Sequence, residues 1–211
     1  IVFLCASAIA SLQVMLNSRN AAMPAGLGNS SGLLGTMIMD HPKGAGGRGV
    51  IPGFTEYMEY GRRPVGVHIP RFRNVRGEDD VAFRRGYHYE CRGLRSDPQP
   101  TALFGREFKA QMRVPGPWIF KMNGFGECLP YHDNRISLHP NKVDRFGIPL
   151  VTFDVSYREN ERAMLLDMER EARSILEAAG CRDIKTWSKV DEQWPGYAIH
   201  EMGGAPMGRD P

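Results

Sequence analysis

His200 stands directly before Glu201-Met202-Gly203-Gly204-Ala205-Pro206-Met207-Gly208. An imidazole held by a tight backbone can be presented to a reacting group. The paired glycines disfavour a helix interior. They predict a tight loop whose backbone can come close to a ligand. His200 is therefore the leading candidate for a chemical role, with a satisfied turn histidine as the alternative. Zinc-protease chemistry fails on spacing. A zinc protease built on His-Glu needs a second histidine four residues on, and position 204 is glycine. Cys5, Cys91, Cys128 and Cys181 contain no CxxC pair, so neither a metal site nor a redox pair is expected. A serine nucleophile needs Gly-x-Ser-x-Gly at a strand-to-helix turn; Gly28-Asn29-Ser30-Ser31-Gly32 has that spacing, but Asn29-Ser30-Ser31-Gly32 reads as a turn within a long irregular connection. Gly44-Ala45-Gly46-Gly47-Arg48-Gly49 lacks the Gly-Lys-Ser/Thr of a phosphate loop and reads as a flexible loop. The other histidines are expected to be structural or surface residues. His41 closes a long loop, His68 and His88 alternate with apolar residues, and His132 and His139 flank a turn.

The 211 residues are enough for one large domain or two small ones. Hydrophobic residues make up 42% and charged residues 24%, the balance of a folded globular chain. A net charge of +3 argues for no nucleic-acid partner. Arg62, Arg63, Arg71, Arg73, Arg76, Arg84 and Arg85 read as a solvated face. No apolar run reaches the roughly 20 residues of a membrane span, so no membrane segment is expected in this stretch. The chain opens inside an apolar run and closes on a turn, which reads as an internal piece of a longer protein. Its compartment is not set by these residues.

The elements that would position His200 read as follows. Ile1–Cys5 is an apolar run fit for a buried strand. Ile9, Leu12 and Leu16 recur at helical spacing after it. Residues 20–49 are rich in Gly, Asn, Ser and Pro and read as a long irregular connection. Strands are predicted at 65–69, 87–91, 118–122 and 150–155 from their alternation and β-branched content. A short helix is predicted at 104–113. Asp133-Asn134 predicts a hairpin between 127–130 and 135–139. Leu165, Met168, Ala172, Ile175 and Ala179 form one stripe of a helix over 159–179, expected to cover one face of the sheet. Gly180 suits the position just past its end, and Ser156 with Glu159 could cap its start.

Three stretches together resemble the glucose–methanol–choline (GMC) family of flavoprotein oxidoreductases. Ile1–Ser18 is similar to the strand–turn–helix that returns close to the flavin. Leu34-Gly35 with Met39-Asp40-His41 resembles the crossing out of the flavin domain. His200-x-x-Gly203 with Met207-Gly208-Arg209-Asp210-Pro211 resembles the element that bears the active-site histidine. Asn134–Pro140 and Asp144–Leu150 look like the substrate domain of sugar- and polyol-type members. Ser7 stands where the family has Gly, Leu12 where Pro is common, Gly204 for Thr and Pro206 for Arg.

The resemblance implies an α/β fold with an antiparallel sheet: part of a flavin (FAD/NAD(P)-binding-like) domain plus a substrate domain of antiparallel sheet backed by helices. Residues 1–42 and 191–211 would belong to the flavin domain and 43–190 to the substrate domain. FAD is the implied cofactor, with Ala6, Ser7, Ala8, Gly203 and Gly204 beside it. The implied reaction oxidises the CH–OH group of a small alcohol, sugar or polyol by hydride transfer to flavin, with His200 accepting the proton. Neither the substrate nor the electron acceptor is set by the residues. Gly44-Ala45-Gly46-Gly47-Arg48-Gly49 has the Gly-x-Gly-x-x-Gly spacing, but it neither follows a predicted strand nor opens a helix, so it does not read as the flavin's phosphate-binding turn. The 211 residues alone are therefore expected to hold FAD weakly. The competing expectation is a non-catalytic binding or scaffold module of the same fold.

Overall fold

Alternation at Tyr87, Tyr89 and Cys91 places three buried side chains on one face of a strand, and a sheet forms around it. The computed structural model describes residues 1–57, 66–77, 80–95 and 102–208. In chain order its elements are α1 (Ala8–Asn17), β1 (Ala45–Ile51), β2 (Val67–Ile69), β3 (Tyr87–Arg95), α2 (Gly105–Met112), β4 (Trp118–Gly126), β5 (Arg135–Val143), β6 (Pro149–Asp154), α3 (Glu159–Ala178) and β7 (Arg182–Ser188). The chain divides into two compact units. One comprises residues 1–42, 127–161 and 193–211; the other comprises 43–126 and 162–192. Among the described residues no helix is long and apolar enough to cross a membrane.

The second unit is an antiparallel sheet in the order β2-β3-β4-β1-β7, backed by α3. Leu165, Met168, Ala172 and Leu176 are fully buried on the helix stripe. They pack with Tyr87, Tyr89, Cys91 and Met122 of the sheet, and Ile175 is half-buried beside them. The helix ends as the sequence predicts. Gly180 takes φ +72°, its N–H donates to the Glu177 carbonyl at 2.9 Å, and Cys181 N–H donates to Leu176 at 3.0 Å. That pair of bonds is a Schellman closure. Leu165→Ala is expected to lower unfolding free energy by about 2–5 kcal/mol, and Ile175→Ala by less. Chemical denaturation checks both; a loss near zero for Leu165→Ala would put that face in solvent.

Gly44–Gly49, expected to be a flexible loop, contributes instead to β1, an inner strand paired with β4 and β7. The long connection therefore stops before residue 45. The glycines suit this place because the neighbours come too close for side chains. A Cβ at Gly46 would lie 2.2 Å from the Met122 carbonyl oxygen, and one at Gly47 2.9 Å from Leu176 Cδ1. β7 also escaped the sequence reading, although Ile184 and Thr186 alternate there. The arginine cluster is only partly a solvated face. Arg76, Arg84 and Arg85 are exposed. Arg73 instead joins Asp167 at 3.0 Å and Glu171 at 2.7 Å. Asp167 also accepts the Tyr87 hydroxyl at 2.6 Å. Burial, first, and the charge of neighbouring groups push the Tyr87 phenol far up, so it remains a donor. Arg62 and Arg63 lie outside the described residues.

The first unit is built on α1 and the β5–β6 hairpin. Leu12, Leu16, Leu34, Ile38 and Ile136 form its core. Three sequence expectations fail here. Ile1–Cys5 is not a strand: Ile1, Val2 and Phe3 are exposed and no described strand pairs with them, so an apolar run alone does not make one. The hairpin is not 127–130 with 135–139. β5 pairs with β6 instead, through a turn in which Asp144 accepts N–H bonds from Phe146 at 2.8 Å and Ile148 at 3.0 Å. Asn134, expected to be an exposed turn residue, is buried. Its side chain donates to the Ile38 and Ser156 carbonyls and accepts from Ser156 N–H at 3.0 Å. Ser156 does not cap α3, because the helix starts at Glu159 and Arg158 stands just before it. The cap is made by Glu161, which accepts the Arg158 N–H at 3.0 Å from the third position of α3.

Candidate active site

Asp40 organises the segment that carries His200. Its carboxylate is fully buried. Oδ2 accepts the Gly196 and Ala198 N–H groups, each at 2.8 Å. Oδ1 accepts the His41 N–H at 2.7 Å and the His200 N–H at 3.1 Å. A buried carboxylate is tolerated when donors aim at it, and here four backbone N–H groups do. Asp40 thereby folds residues 196–200 into a knot of fixed shape. Ile199, with φ +59°, turns the chain just before His200. The His200 side of the loop faces outward, and its residue is exposed.

His41 is drawn into the same place. Its ring centroid lies 5.4 Å from that of His200, with the planes at 87°. The His41 carbonyl accepts the Tyr157 hydroxyl at 2.8 Å. Burial, first, then the Asp40 charge push the Tyr157 phenol well above its ordinary range, so it stays a neutral donor. Two imidazoles thus stand edge to face, one fixed through its backbone by Asp40 and the other through Asp40 and Tyr157.

The glycines after His200 are held by the protein itself. Met39 and Met202 exchange backbone hydrogen bonds at 2.9 and 3.0 Å. Gly35 N–H donates to Gly204 O at 2.6 Å, and Gly204 N–H donates to Thr36 O at 2.9 Å. Gly203 has φ +87°, and a Cβ there would lie 2.0 Å from the Met37 carbonyl oxygen. Gly204 has φ +77°, and its Cβ would lie 2.2 Å from Leu12 Cδ1 on α1. Any side chain at either position would push the His200 segment off its seat. Gly203 is exposed and Gly204 buried.

Ala6, Ser7 and Ala8 form the start of α1. Ser7 is its N-cap, its Oγ accepting the Ala10 N–H at 3.3 Å. Ala6 and Ser7 are exposed and Ala8 half-buried. The structure thus brings Gly204 against α1 and His41 against His200, all within one unit. Arg209, Asp210 and Pro211 of the resembling motif lie outside the described residues.

A second buried carboxylate lies in the same unit. Glu161 is fully buried and accepts from Leu129 N–H at 3.0 Å and the Tyr131 hydroxyl at 3.0 Å. Burial, first, and then the Glu161 charge push the nearby Cys128 thiol up to about 12. A thiol so raised is almost wholly protonated at about pH 8 and a poor nucleophile. Iodoacetamide is therefore expected to label exposed Cys5 well before Cys128 in the native protein. Peptide mass spectrometry checks the order, and equal rates would contradict the burial of Cys128.

No family model matches the chain. Curated relatives do. The chain is 27% identical over 218 residues to the fructose dehydrogenase large subunit of Gluconobacter japonicus, covering 99% of the chain and 37% of that protein. It is 28% identical over 122 residues to the gluconate 2-dehydrogenase flavoprotein of Pantoea cypripedii, covering 54% and 19%. It is 26% identical over 234 residues to the 2-methyl-1,2-propanediol dehydrogenase of Mycolicibacterium austroafricanum, covering 100% and 39%. The chain thus spans about two fifths or less of the length of these relatives. All three are dehydrogenases by name and one is named a flavoprotein.

Sequence reasoning picked out His200 as a candidate but not the residue that holds its segment. Asp40 lies 160 residues earlier in the chain, and nothing in local spacing ties the two. The available signal was the buried-type neighbourhood of Asp40, since Ile38 and Met39 precede it. Tyr157 left no local signal at all.

Proposed function

We propose that this chain is part of an FAD-dependent oxidoreductase of the GMC type, which oxidises a CH–OH group of an alcohol, sugar or polyol. His200 is the proton acceptor in this reading. The observation that carries it is the buried Asp40 carboxylate, which grips the His200 segment by backbone N–H groups and leaves the residue exposed. A histidine fixed through its backbone keeps its ring free for a substrate. The relatives named for fructose, gluconate and a diol support the reaction class.

The residues present fit a flavin cofactor on two counts. The start of α1 offers small exposed residues at a helix N-terminus, where backbone N–H groups favour an anion. Gly203, beside His200, is exposed, so its backbone is accessible to a ligand. FAD, when bound, supplies the acceptor for the carbinol hydride. The chain supplies the proton chemistry. The substrate O–H bond breaks and an N–H bond forms on an unprotonated ring nitrogen of His200. The electron pair of the carbinol C–H bond leaves as hydride, and the carbon becomes a carbonyl. His41, at right angles to His200, restricts the plane of that ring and can relay the proton onward.

The test is made on the whole protein that contains this chain. Its purified form is expected to carry flavin, and anaerobic addition of a panel of sugars and polyols is expected to bleach the flavin absorption with at least one of them. A flavin-free protein that still binds a polyol would favour the scaffold reading. Bound flavin that no member of the panel reduces would contradict the proposed substrate class.

A further inference from the structure

His68, His88 and Glu90 come together on one face of the second unit. β2 and β3 run antiparallel with His68 directly opposite Glu90. His88 is two residues before Glu90 on β3, so period-two geometry puts its side chain on the same face. It is diagonal to His68, a relation that long and aromatic side chains can bridge. The ligating atoms of the three side chains all lie within 4.8 Å of one another. The two imidazole centroids are 5.7 Å apart with planes tilted by 35°.

His88 is the most constrained of the three. It is half-buried, and its ring stacks on Phe125 of β4 with centroids 5.6 Å apart and planes 8° from parallel. Phe125 is the register partner of His88 and is itself buried. His68 and Glu90 are exposed and can adjust. The charged neighbour of this face on the Phe125 side is Lys43, whose Nζ lies 4.8 Å over the Phe125 ring.

We infer that His68, His88 and Glu90 form a binding site for a divalent transition-metal cation of the zinc type, joining β2 to β3. Two imidazoles and one carboxylate are a donor set that zinc takes with water in the remaining position. Ligand atoms about 2.0–2.2 Å from a tetrahedral metal sit roughly 3.4 Å from one another. The two exposed residues, His68 and Glu90, have room to rotate toward that spacing. The donors are borderline in softness, which selects zinc, nickel or copper over magnesium and calcium. The site escapes a sequence motif because its donors come from two strands, with no CxxC or His-x-x-x-His spacing. Its consequence is local. Among the described residues β2 is a three-residue strand at the edge of the sheet, paired with β3 alone. A metal bridging His68 to β3 would pin that short edge strand, which has few backbone bonds of its own.

The chain is stripped with a chelator and titrated with Zn2+ by calorimetry, with Co2+ absorption as a report of tetrahedral coordination. One Zn2+ per chain is expected at this site, with Co2+ giving the intense visible bands of four-coordination. H68A and E90Q change exposed side chains, so circular dichroism is expected to match the parent. Each of H68A, H88A and E90Q is expected to weaken Zn2+ by more than about tenfold, the least that loss of even an outer partner of a ligand removes. H200N is expected to bind as the parent does. Absence of Zn2+ uptake, or uptake that H68A and E90Q leave unchanged, overturns the inference. Loss of the Zn2+ in H200N, with H68A unaffected, would place the ion at the imidazole pair of the other unit and also overturns it.

Discussion

Replacing His200 by Ala is expected to slow flavin reduction by about 10²–10⁴-fold, the usual worth of a positioned acid–base group. The flavin content is expected to stay that of the parent. The two effects separate because of how His200 is held. Asp40 binds its backbone N–H, which alanine retains, so the knot around residues 196–200 survives the substitution. The lost contact is the ring of His41, at 5.4 Å between centroids. The residue is exposed, so no cavity opens in a core. Anaerobic stopped-flow measures the rate. A variant within about threefold of the parent would return His200 to a structural role.

The second large effect is expected at Asp40. Asp40→Ala removes the acceptor of four N–H groups at once: His41, Gly196, Ala198 and His200. A buried donor left without a partner costs about 1–3 kcal/mol. The loop has a cheaper response than global unfolding, which is to open and let water in. The expected result is therefore local. Amide exchange at Gly196, Ala198 and His200 speeds up by at least about tenfold, equivalent to about 1.4 kcal/mol of opening, while the α3 amides near Leu165 change little. Flavin reduction falls as well, although the His200 ring is intact. Asp40→Asn keeps one oxygen acceptor and is expected to fall between. Unchanged exchange at the three amides would show that the knot does not depend on Asp40.

What the sequence carried, and what it did not, follows from range. The α3 stripe at Leu165, Met168 and Ala172 was legible because helical period and burial coincide over many residues. The Gly180 closure was legible because a left-handed position past a helix end favours glycine. Strands β3, β4 and β6 showed their alternation or β-branched content. β1 did not, because its glycines answer to α3 and to β4 across the sheet rather than to their neighbours in sequence. The hairpin was placed one turn early. Asn134 has the chemistry of a turn residue, yet its side chain is spent on Ile38 and Ser156, far away in the chain. Ile1–Cys5 shows the reverse error, an apolar run read as a strand with no partner to pair. At the candidate site His200 and its glycines could be picked out by type. Asp40 could not be given its role, because a carboxylate that binds backbone N–H groups leaves no mark on the residues it binds. Gly203 and Gly204 were expected beside a cofactor; their closest demands come from Met37 and Leu12.

The proton-acceptor role of His200 is the central claim, and single-turnover flavin reduction measured against pH tests it most directly. The whole protein and its His200→Asn variant are mixed anaerobically with a polyol or sugar that bleaches the parent's flavin. Asparagine keeps hydrogen-bonding capacity but has no titration near neutral pH. A base must be unprotonated to act, so the parent's rate is predicted to rise with pH through one ionisation and then level off. The variant is predicted to be slow throughout, without that ionisation. An unchanged ionisation in the variant, with a rate close to the parent's, would contradict the account and move the base to another residue.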